Sequence, residues 1–371
     1  MLTDLDESLR HQAPTTFDHV WTSDHRAFDR IWFAAYDPEG TAALQITMGS
    51  YPNMNVLDAG AMVIRGTTQH NVRASRTLRP DFSTTVGPFS VEVVEPFEHL
   101  RLCVAPGDRP LACELDWRAV LPPEEEHPHF ARIRGRVTED YHRFDQVGEL
   151  SGWVETREGG RLDIDRWWAT RDHSWGVRPG VGGPEPITGE SPPPSAVGSL
   201  FAFLFFSTPE LAGHVQVAER GENRSYLTGL VRDRTTGGKP GPDIHVTDAR
   251  LSFELHPGTR RFRTANIDVE LDDGRSLTLA TEALGPSFAM TGLGYSGGWN
   301  DGQGLGLWRG TLVEETDVWD VSDPVTVVHA DGSTAQPIHR IQPVRVSAGG
   351  SAGTGSLTFI ANGALPQYGL T

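Results

Sequence analysis

The sequence predicts an all-β protein made of antiparallel sandwiches or barrels. Three observations carry this expectation. Apolar residues recur at every second position in one segment after another, turn-forming clusters separate those segments, and no stretch keeps a long 3.6-residue period. The 41 Gly and 26 Pro among 371 residues fit a chain rich in turns and poor in long helices.

The alternation can be followed along the chain. Cys113, Leu115, Trp117 and Ala119 alternate with Glu114, Asp116 and Arg118, and Ala131, Ile133, Gly135 and Val137 with Arg132, Arg134 and Arg136. Later, Leu251, Phe253 and Leu255 alternate with Ser252, Glu254 and His256, and Ala265, Ile267, Val269 and Leu271 with Asn266, Asp268 and Glu270. Each set puts apolar side chains on one face of a strand and polar ones on the other. Turns are expected at Asp37-Pro38-Glu39-Gly40, Pro106-Gly107-Asp108, Glu158-Gly159-Gly160, His256-Pro257-Gly258, Asp272-Asp273-Gly274 and Asp331-Gly332. The Gly/Ser-rich residues 349–356 read as a flexible loop before a last strand at 357–361.

Residues 179–198 are rich in Pro and Gly and poor in apolar residues, so they cannot carry a strand. They divide the chain into a first domain at 1–180, a linker or long loop at 181–198 and a second domain at 199–371. Each half carries a Trp/Gly-rich segment with an Asp between tryptophans, at 167–176 and 298–310.

Composition excludes several function classes. A net charge of −17 argues against a broad nucleic-acid or anionic-membrane surface. Lys239 is the only lysine among 32 bases, and it sits in a turn, so Schiff-base chemistry and a P-loop lack a placed lysine. The longest apolar run, 200–206, is too short to span a bilayer, and the acidic start of the chain shows no signal peptide. A cytoplasmic protein without membrane insertion is expected. Cys103 and Cys113 flank a hairpin turn and read as reduced thiols. A homo-oligomer is compatible with the sequence.

Several motif matches fail on context. Gly294-Tyr295-Ser296-Gly297-Gly298 fits G-x-S-x-G, and the overlapping run from Gly292 fits G-x-G-x-x-G. Neither is followed by a segment able to start a helix, so a glycine-rich turn is the better reading. His127-Pro128-His129, with His142 nearby, could seed a metal site, but it follows three glutamates in a solvated-looking loop, and no metal is assigned there.

The strongest local signal is Arg171-Asp172-His173-Ser174-Trp175-Gly176-Val177-Arg178, where groups for acid/base and hydrogen-bonding work are adjacent. Alternation sends Asp172 and Ser174 to one face and His173 and Trp175 to the other. A salt-bridged strand end, with Asp172 held by Arg171 or Arg178, is the competing structural explanation.

This run resembles the signature of the AttH/hydroxyneurosporene-synthase-like superfamily, which includes carotenoid 1,2-hydratases and fungal Diels–Alderase-like proteins. A bacterial two-domain branch of that group is the nearer likeness. Tyr36-Asp37-Pro38 with Gly40, Tyr51-Pro52-Asn53, and Asp145-Gln146 with Gly148 and Gly152 extend it over about residues 20–370. The resemblance implies two tandem lipocalin-like antiparallel β-barrels. It also implies a cofactor-independent enzyme acting on a hydrophobic isoprenoid, steroid-like or polyketide-like molecule by proton transfer, whether hydration or dehydration, isomerisation or cyclisation. Asp172 is then the acid/base and His173 its partner, with Trp175, Trp168, Trp299 and Trp308 as pocket walls or cation stabilisers and Tyr51 and Asn53 as further pocket candidates. Protonating an alkene needs a dry acid, which a carboxyl in a low-dielectric cavity supplies. The adjacent Arg171 and Arg178 would oppose this by lowering the pKa of Asp172, and would favour His173 as donor. Two other functions fit the same features: a pericyclic cyclase that works by shape, and a non-catalytic carrier of apolar ligands. A site in the second half around Trp299 and Asp301 is a further possibility. The pocket itself is expected near the signature or between the domains.

Overall fold

The computed structural model describes residues 4–7, 14–187, 189–190, 198–234 and 240–370. Within the linker, residues 188 and 191–197 lie outside the described residues, as does Lys239. The first half forms β1 (Ala27–Tyr36), β2 (Ala42–Tyr51), β3 (Val56–Arg65), β4 (Thr68–Thr77), β5 (Thr85–Val86), β6 (Phe89–Glu95), β7 (His99–Val104) and β8 (Leu111–Ala119). It continues with β9 (Glu124–Glu125), β10 (His129–Ile133) and two long strands, β11 (Arg136–Thr156) and β12 (Gly160–Val177). The second half forms β13 (Ser199–Ser207), β14 (Leu211–Arg220), β15 (Asn223–Asp233), β16 (Ile244–Leu255), β17 (Phe262–Leu271) and β18 (Ser276–Ala283). After β19 (Phe288–Ala289) come β20 (Leu312–Asp320), β21 (Val327–His329), β22 (Thr334–Ala335), β23 (Arg340–Ala348) and β24 (Ser351–Asn362).

The protein is all-β, and its strand ladders are antiparallel. Strands β13 to β18 with β24 and β23 close into an eight-stranded barrel through the β18–β23 pair. The short β19 adds to β23 of this unit, and the remaining strands form one fifteen-stranded sheet, in which β4-β3-β2-β1-β12-β11-β8-β7-β6-β5 run edge to edge. This sheet curls until β5 lies against β3 and β4, and the Arg76 guanidinium donates to the Thr85 carbonyl at 2.7 Å. The ladder does not close as a second barrel would, because β20 takes the free edge of β4 in register, from Leu312↔Arg76 to Asp320↔Thr68. Three strands within 312–335 of the second half therefore belong to the first sheet.

Alternation explains both cores. Phe33 and Ala35 of β1 join Ile46, Leu102, Leu115 and Trp117 inside the curled sheet. Leu200, Ala202, Leu204 and Phe206 of β13 point into the barrel with Val215, Ile267 and Leu357. The opposite faces of the same strands meet each other: Trp32, Ala34 and Tyr36 pack against Phe203, Phe205 and Phe288 in a third cluster between sheet and barrel. The apolar run at 200–206 thus lacks alternation because both of its faces are buried.

Two local expectations are corrected. The strand expected across Ala131 and Val137 is broken by a turn at Arg134 and Gly135, both at positive φ (52° and 80°), which separates β10 from β11. The glycines of 351–356 lie in β24 rather than in a loop. A Cβ on Gly353 would sit 1.9 Å from the Ser207 carbonyl oxygen, and one on Gly355 would sit 2.5 Å from that of Phe205, so they permit close strand approach. Cys103 and Cys113 are free thiols; burial pushes the Cys113 thiol up to about 12.

Candidate active site

Because the outer faces of two β units meet, residues from several strands converge on their boundary. A cavity of about 170 Å³ opens there. On the sheet side, register places Trp32 opposite Asp172 and Arg30 opposite Ser174 across β1 and β12. The next strand adds Asp145 opposite Asp172 and Arg143 opposite Ser174. Trp32, Arg30, Asp172, Ser174, Arg143, Tyr141 and Arg178 line the sheet wall. The barrel contributes Phe201, Phe203 and Phe205 from β13 and Gln216 from β14. His339 and Tyr295 close one end, with ring centroids 5.1 Å apart.

Asp172 is half-buried, and among the described residues its carboxylate has neither a hydrogen bond nor an ion pair. Removal from water holds its carboxyl above the ordinary carboxylate range, and the charge of Glu126 adds to this; Arg143, Arg178 and Arg30 pull the other way without prevailing. The arginines are occupied elsewhere. Arg143 donates to Glu126 Oε2 at 2.9 Å and Gln216 Oε1 at 2.8 Å, and lies over the Phe203 ring. Arg30 donates to Thr47 Oγ1 at 2.8 Å and packs on Tyr295. Arg178 lies over the Phe28 ring at 4.8 Å, and its buried Nε has no partner. Burial, reinforced by Arg178 and Arg30, pushes His339 down to about 4, so it is a neutral imidazole at pH 7.

The structure separates the residues that the sequence grouped. His173 and Trp175 face away from Asp172, as strand alternation requires. His173 Nε2 meets Asp29 Oδ1 at 2.7 Å, and Trp175 is 40% exposed beside His142 and Phe144. Arg171 also turns away: it stacks on Trp117 and donates to Gln146 Oε1 at 2.6 Å, so it does not clamp Asp172. Trp168 is buried against Tyr36 in the interface, outside the cavity. Tyr51 stands behind the wall, its hydroxyl 3.4 Å from Arg30, and burial pushes that hydroxyl up to about 12. Asn53 Nδ2 ties down the Thr22 and Asp24 carbonyls at 2.8 Å each. Trp299 is buried under the guanidiniums of Arg309 and Arg73. Trp308 is exposed and donates to Thr77 Oγ1, and Asp301 pairs with Arg309 at 3.0 Å. None of Trp299, Asp301 and Trp308 lines the cavity. The glycine-rich segment at 292–298 forms a short 3-10 turn, Met290–Leu293, and the loop after it, as its context required. Its one contribution to the cavity is Tyr295.

Sequence reasoning missed Arg30, Trp32, Arg143, Tyr295 and His339. The alternate phenylalanines at 201, 203 and 205 were the available signal, since a strand apolar on both faces has two partners. His127, His129 and His142 do not converge: His127 is exposed, His129 is stacked between Tyr141 and Tyr226, and His142 lies beside Glu125.

Fold and site together define an all-β protein with a cavity of about 170 Å³ between a curled sheet and a closed barrel. The chain belongs to a family of unknown function (DUF8625), which matches it over residues 2–371. Among solved structures it is similar to CghA with Sch210972, at 10% identity and a TM-score of 0.48, covering 91% of this chain and 88% of that one. The crystal structure of CghA gives 10% identity and a TM-score of 0.45, covering 92% and 89%. No curated protein matches the chain. Among the described residues no helix is long and apolar enough to cross a membrane.

Proposed function

We propose that the cavity between sheet and barrel is the active site of a cofactor-independent enzyme that moves a proton on a hydrophobic small molecule, with Asp172 as the acid/base. One observation carries this reading: a carboxyl without a partner, raised in pKa, faces a cavity walled by phenylalanines and arginines. A carboxylate made more basic by burial is the kind of group that enzymes use to take a proton from carbon. The resemblance of residues 171–178 to the AttH/hydroxyneurosporene-synthase-like signature supports placing the chemistry on this strand.

The surrounding charges select among proton-transfer reactions. Arg30 and Arg178 face the cavity without a carboxylate partner among the described residues. Positive charge opposes a carbocation and favours an oxyanion. The preferred substrate is therefore an isoprenoid-, steroid- or polyketide-like carbonyl compound. Asp172 takes the proton next to the carbonyl, and the C–H electron pair moves into an enolate whose oxygen the arginines stabilise. In a β,γ-unsaturated ketone the proton returns at the γ-carbon and the double bond shifts into conjugation; in a β-hydroxy ketone the enolate expels hydroxide, which takes the proton and leaves as water; in a substrate with a second carbonyl the enolate carbon attacks it, a ring closes, and the proton goes to the alkoxide formed.

Turnover of lipophilic enones in heavy water tests the reading. Deuterium in the product, with a loss of about 10²–10⁴-fold in Asp172→Asn, is expected. An unlabelled cyclised product from an undiminished Asp172→Asn variant would instead identify a pericyclic cyclase. Binding without conversion would identify a carrier.

A further inference from the structure

Behind Arg143, further along the interface, three side chains meet that the reaction above does not use. Glu126 follows β9, Asp145 lies on β11 and His214 on β14. They are 3%, 2% and 2% exposed, and one ligand atom from each lies within 4.8 Å of the others.

Their partners do not account for them. Glu126 Oε2 is taken by Arg143 Nε and His129 Nε2, each at 2.9 Å, but Oε1 has no partner. No donor reaches either Asp145 oxygen, and Glu126, within hydrogen-bond reach of Asp145, could bond to it only by sharing a proton; His214 Nε2 has no partner. His214 Nδ1 is 3.6 Å from Glu124 and 3.7 Å from Asp145, too far for hydrogen bonds. Buried polar groups are almost always satisfied, so such a group of open acceptors points to an occupant. A void of about 10 Å³ lies beside Glu124, Asp145, His214 and Arg232, room for a single water-sized particle.

The chemistry of the donors narrows the occupant. A proton shared between Glu126 and Asp145 would leave the second Asp145 oxygen and His214 Nε2 open, and a water brings no charge. Arg143 is bonded to Glu126 and Arg232 is already paired with Asp243 at 2.5 Å, so the carboxyls of Glu124 and Asp145 are left without a cation, and the cluster favours one. Two carboxylates and an imidazole suit the borderline ion Zn²⁺, or the harder Mn²⁺ through the carboxylates, whereas Ca²⁺ asks for more oxygens.

We propose that Glu126, Asp145 and His214 bind one divalent transition-metal ion that staples the curled sheet to the barrel. Glu126 and Asp145 belong to the sheet and His214 to the barrel, so the ion spans the interface. Arg143, bonded to Glu126 on one side and lining the cavity on the other, is held in place by it. The His-Pro-His motif then has an indirect part, since His129 orients Glu126 as a supporting residue would. The role is structural, and it stands or falls independently of the proton-transfer reading.

The test titrates the full chain, stripped with a chelator, with Zn²⁺ and separately with Mn²⁺, followed by calorimetry and elemental analysis. One ion per chain and a raised unfolding midpoint are expected. Asp145→Asn and His214→Ala should each weaken binding by at least the roughly 10- to 100-fold that loss of a supporting residue costs, and His127→Ala, at an exposed histidine, should not. Absence of uptake by the wild-type chain overturns the proposal, whatever the variants do. So does uptake that Asp145→Asn and His214→Ala leave unchanged, which would mark surface binding.

Discussion

Exchanging Asp172 for asparagine should weaken catalysis and strengthen the fold, and the second effect can be measured without a substrate. Asp24 provides the contrast. It receives two hydrogen bonds from the Arg26 guanidinium, at 2.9 and 2.7 Å, and one from the Arg26 amide at 2.9 Å. The Arg26 side chain is the chief cause of a carboxyl pKa lowered from the ordinary 3.8 to about 2. At ~1.4 kcal/mol per pKa unit, that environment is worth about 2 kcal/mol at neutral pH. Its contribution is fully present above pH 3.8 and is lost as the pH falls through 2, so Asp24→Asn should cost about that amount at pH 7. Asp172 has the opposite sign. Its folded pKa is raised, so above that pKa the unpartnered charge opposes folding, and below 3.8 both states are protonated and the penalty vanishes. Asp172→Asn should therefore gain stability at neutral pH, by roughly the 0.5–2 kcal/mol that single stabilising substitutions commonly yield, and the gain should shrink toward pH 4. Urea unfolding followed by tryptophan fluorescence at both pH values measures the two variants side by side. A loss in Asp172→Asn equal to that in Asp24→Asn would show the carboxyl clamped by its arginines, and the acid/base assignment would fail.

Three further outcomes follow from the interface. Tyr36→Phe should cost about 1–3 kcal/mol in chemical denaturation, because the buried hydroxyl meets Ser356 Oγ at 2.9 Å and accepts from Gln45 Nε2 at 3.3 Å. Phe203→Ala should destabilise by about 3–5 kcal/mol and weaken apolar-ligand binding in calorimetry, whereas Trp175→Ala, on the far face of β12, should leave binding unchanged. His339 should titrate near 4 by NMR rather than near 6.5; because its folded pKa is depressed, the stability it contributes is present above 6.5 and lost as the pH falls through 4.

The fold class was legible because alternation is local. Leu251, Phe253 and Leu255, or Ala265 to Leu271, declare a face within a few residues, and the turns at Asp37, Asp272 and Asp331 announce themselves by composition. Glycine misleads in one direction: the Gly/Ser composition of residues 349–356 reads as a loop, yet Gly353 and Gly355 serve strands packed too closely for a Cβ. Alternation misled at Arg134, where a hairpin turn happens to continue the period-two pattern. Asp172 was legible because its neighbours share one strand, and the same periodicity set His173 and Trp175 on the far face. The other walls of the cavity were beyond reach. Arg30, Arg143, Tyr295 and His339 come together only when the outer faces of sheet and barrel dock, and that docking is set by Trp32, Tyr36, Phe203 and Phe288 from distant segments. The tryptophan-rich segments promised a π-lined pocket, but an indole buried under a guanidinium, as Trp299 is under Arg309, is also simply good packing.

The interface itself argues for a site. Two β units that need only adhere would meet through apolar residues alone, as they do around Trp32, Phe205 and Phe288. Instead the neighbouring rows carry Arg30, Arg143, Asp145, Asp172 and His214, and burying such groups weakens an interface unless every charge is paired. Here the pairing is selective. Arg143 is matched to Glu126, while Asp172, Arg178 and the atoms around Asp145 are left open. Open buried polar atoms occur elsewhere too, on Asp58, His70, Asn71 and several indoles, but Asp172 and Arg178 face one cavity, and four open atoms, on Glu126, Asp145 and His214, meet in one group beside a small void. The first has arginines and aromatic walls, which suits an enolisable lipophile, and the second has carboxylates and an imidazole, which suits a metal. Arg143 touches both, so a change in the occupancy of the second would be felt at the first through one side chain.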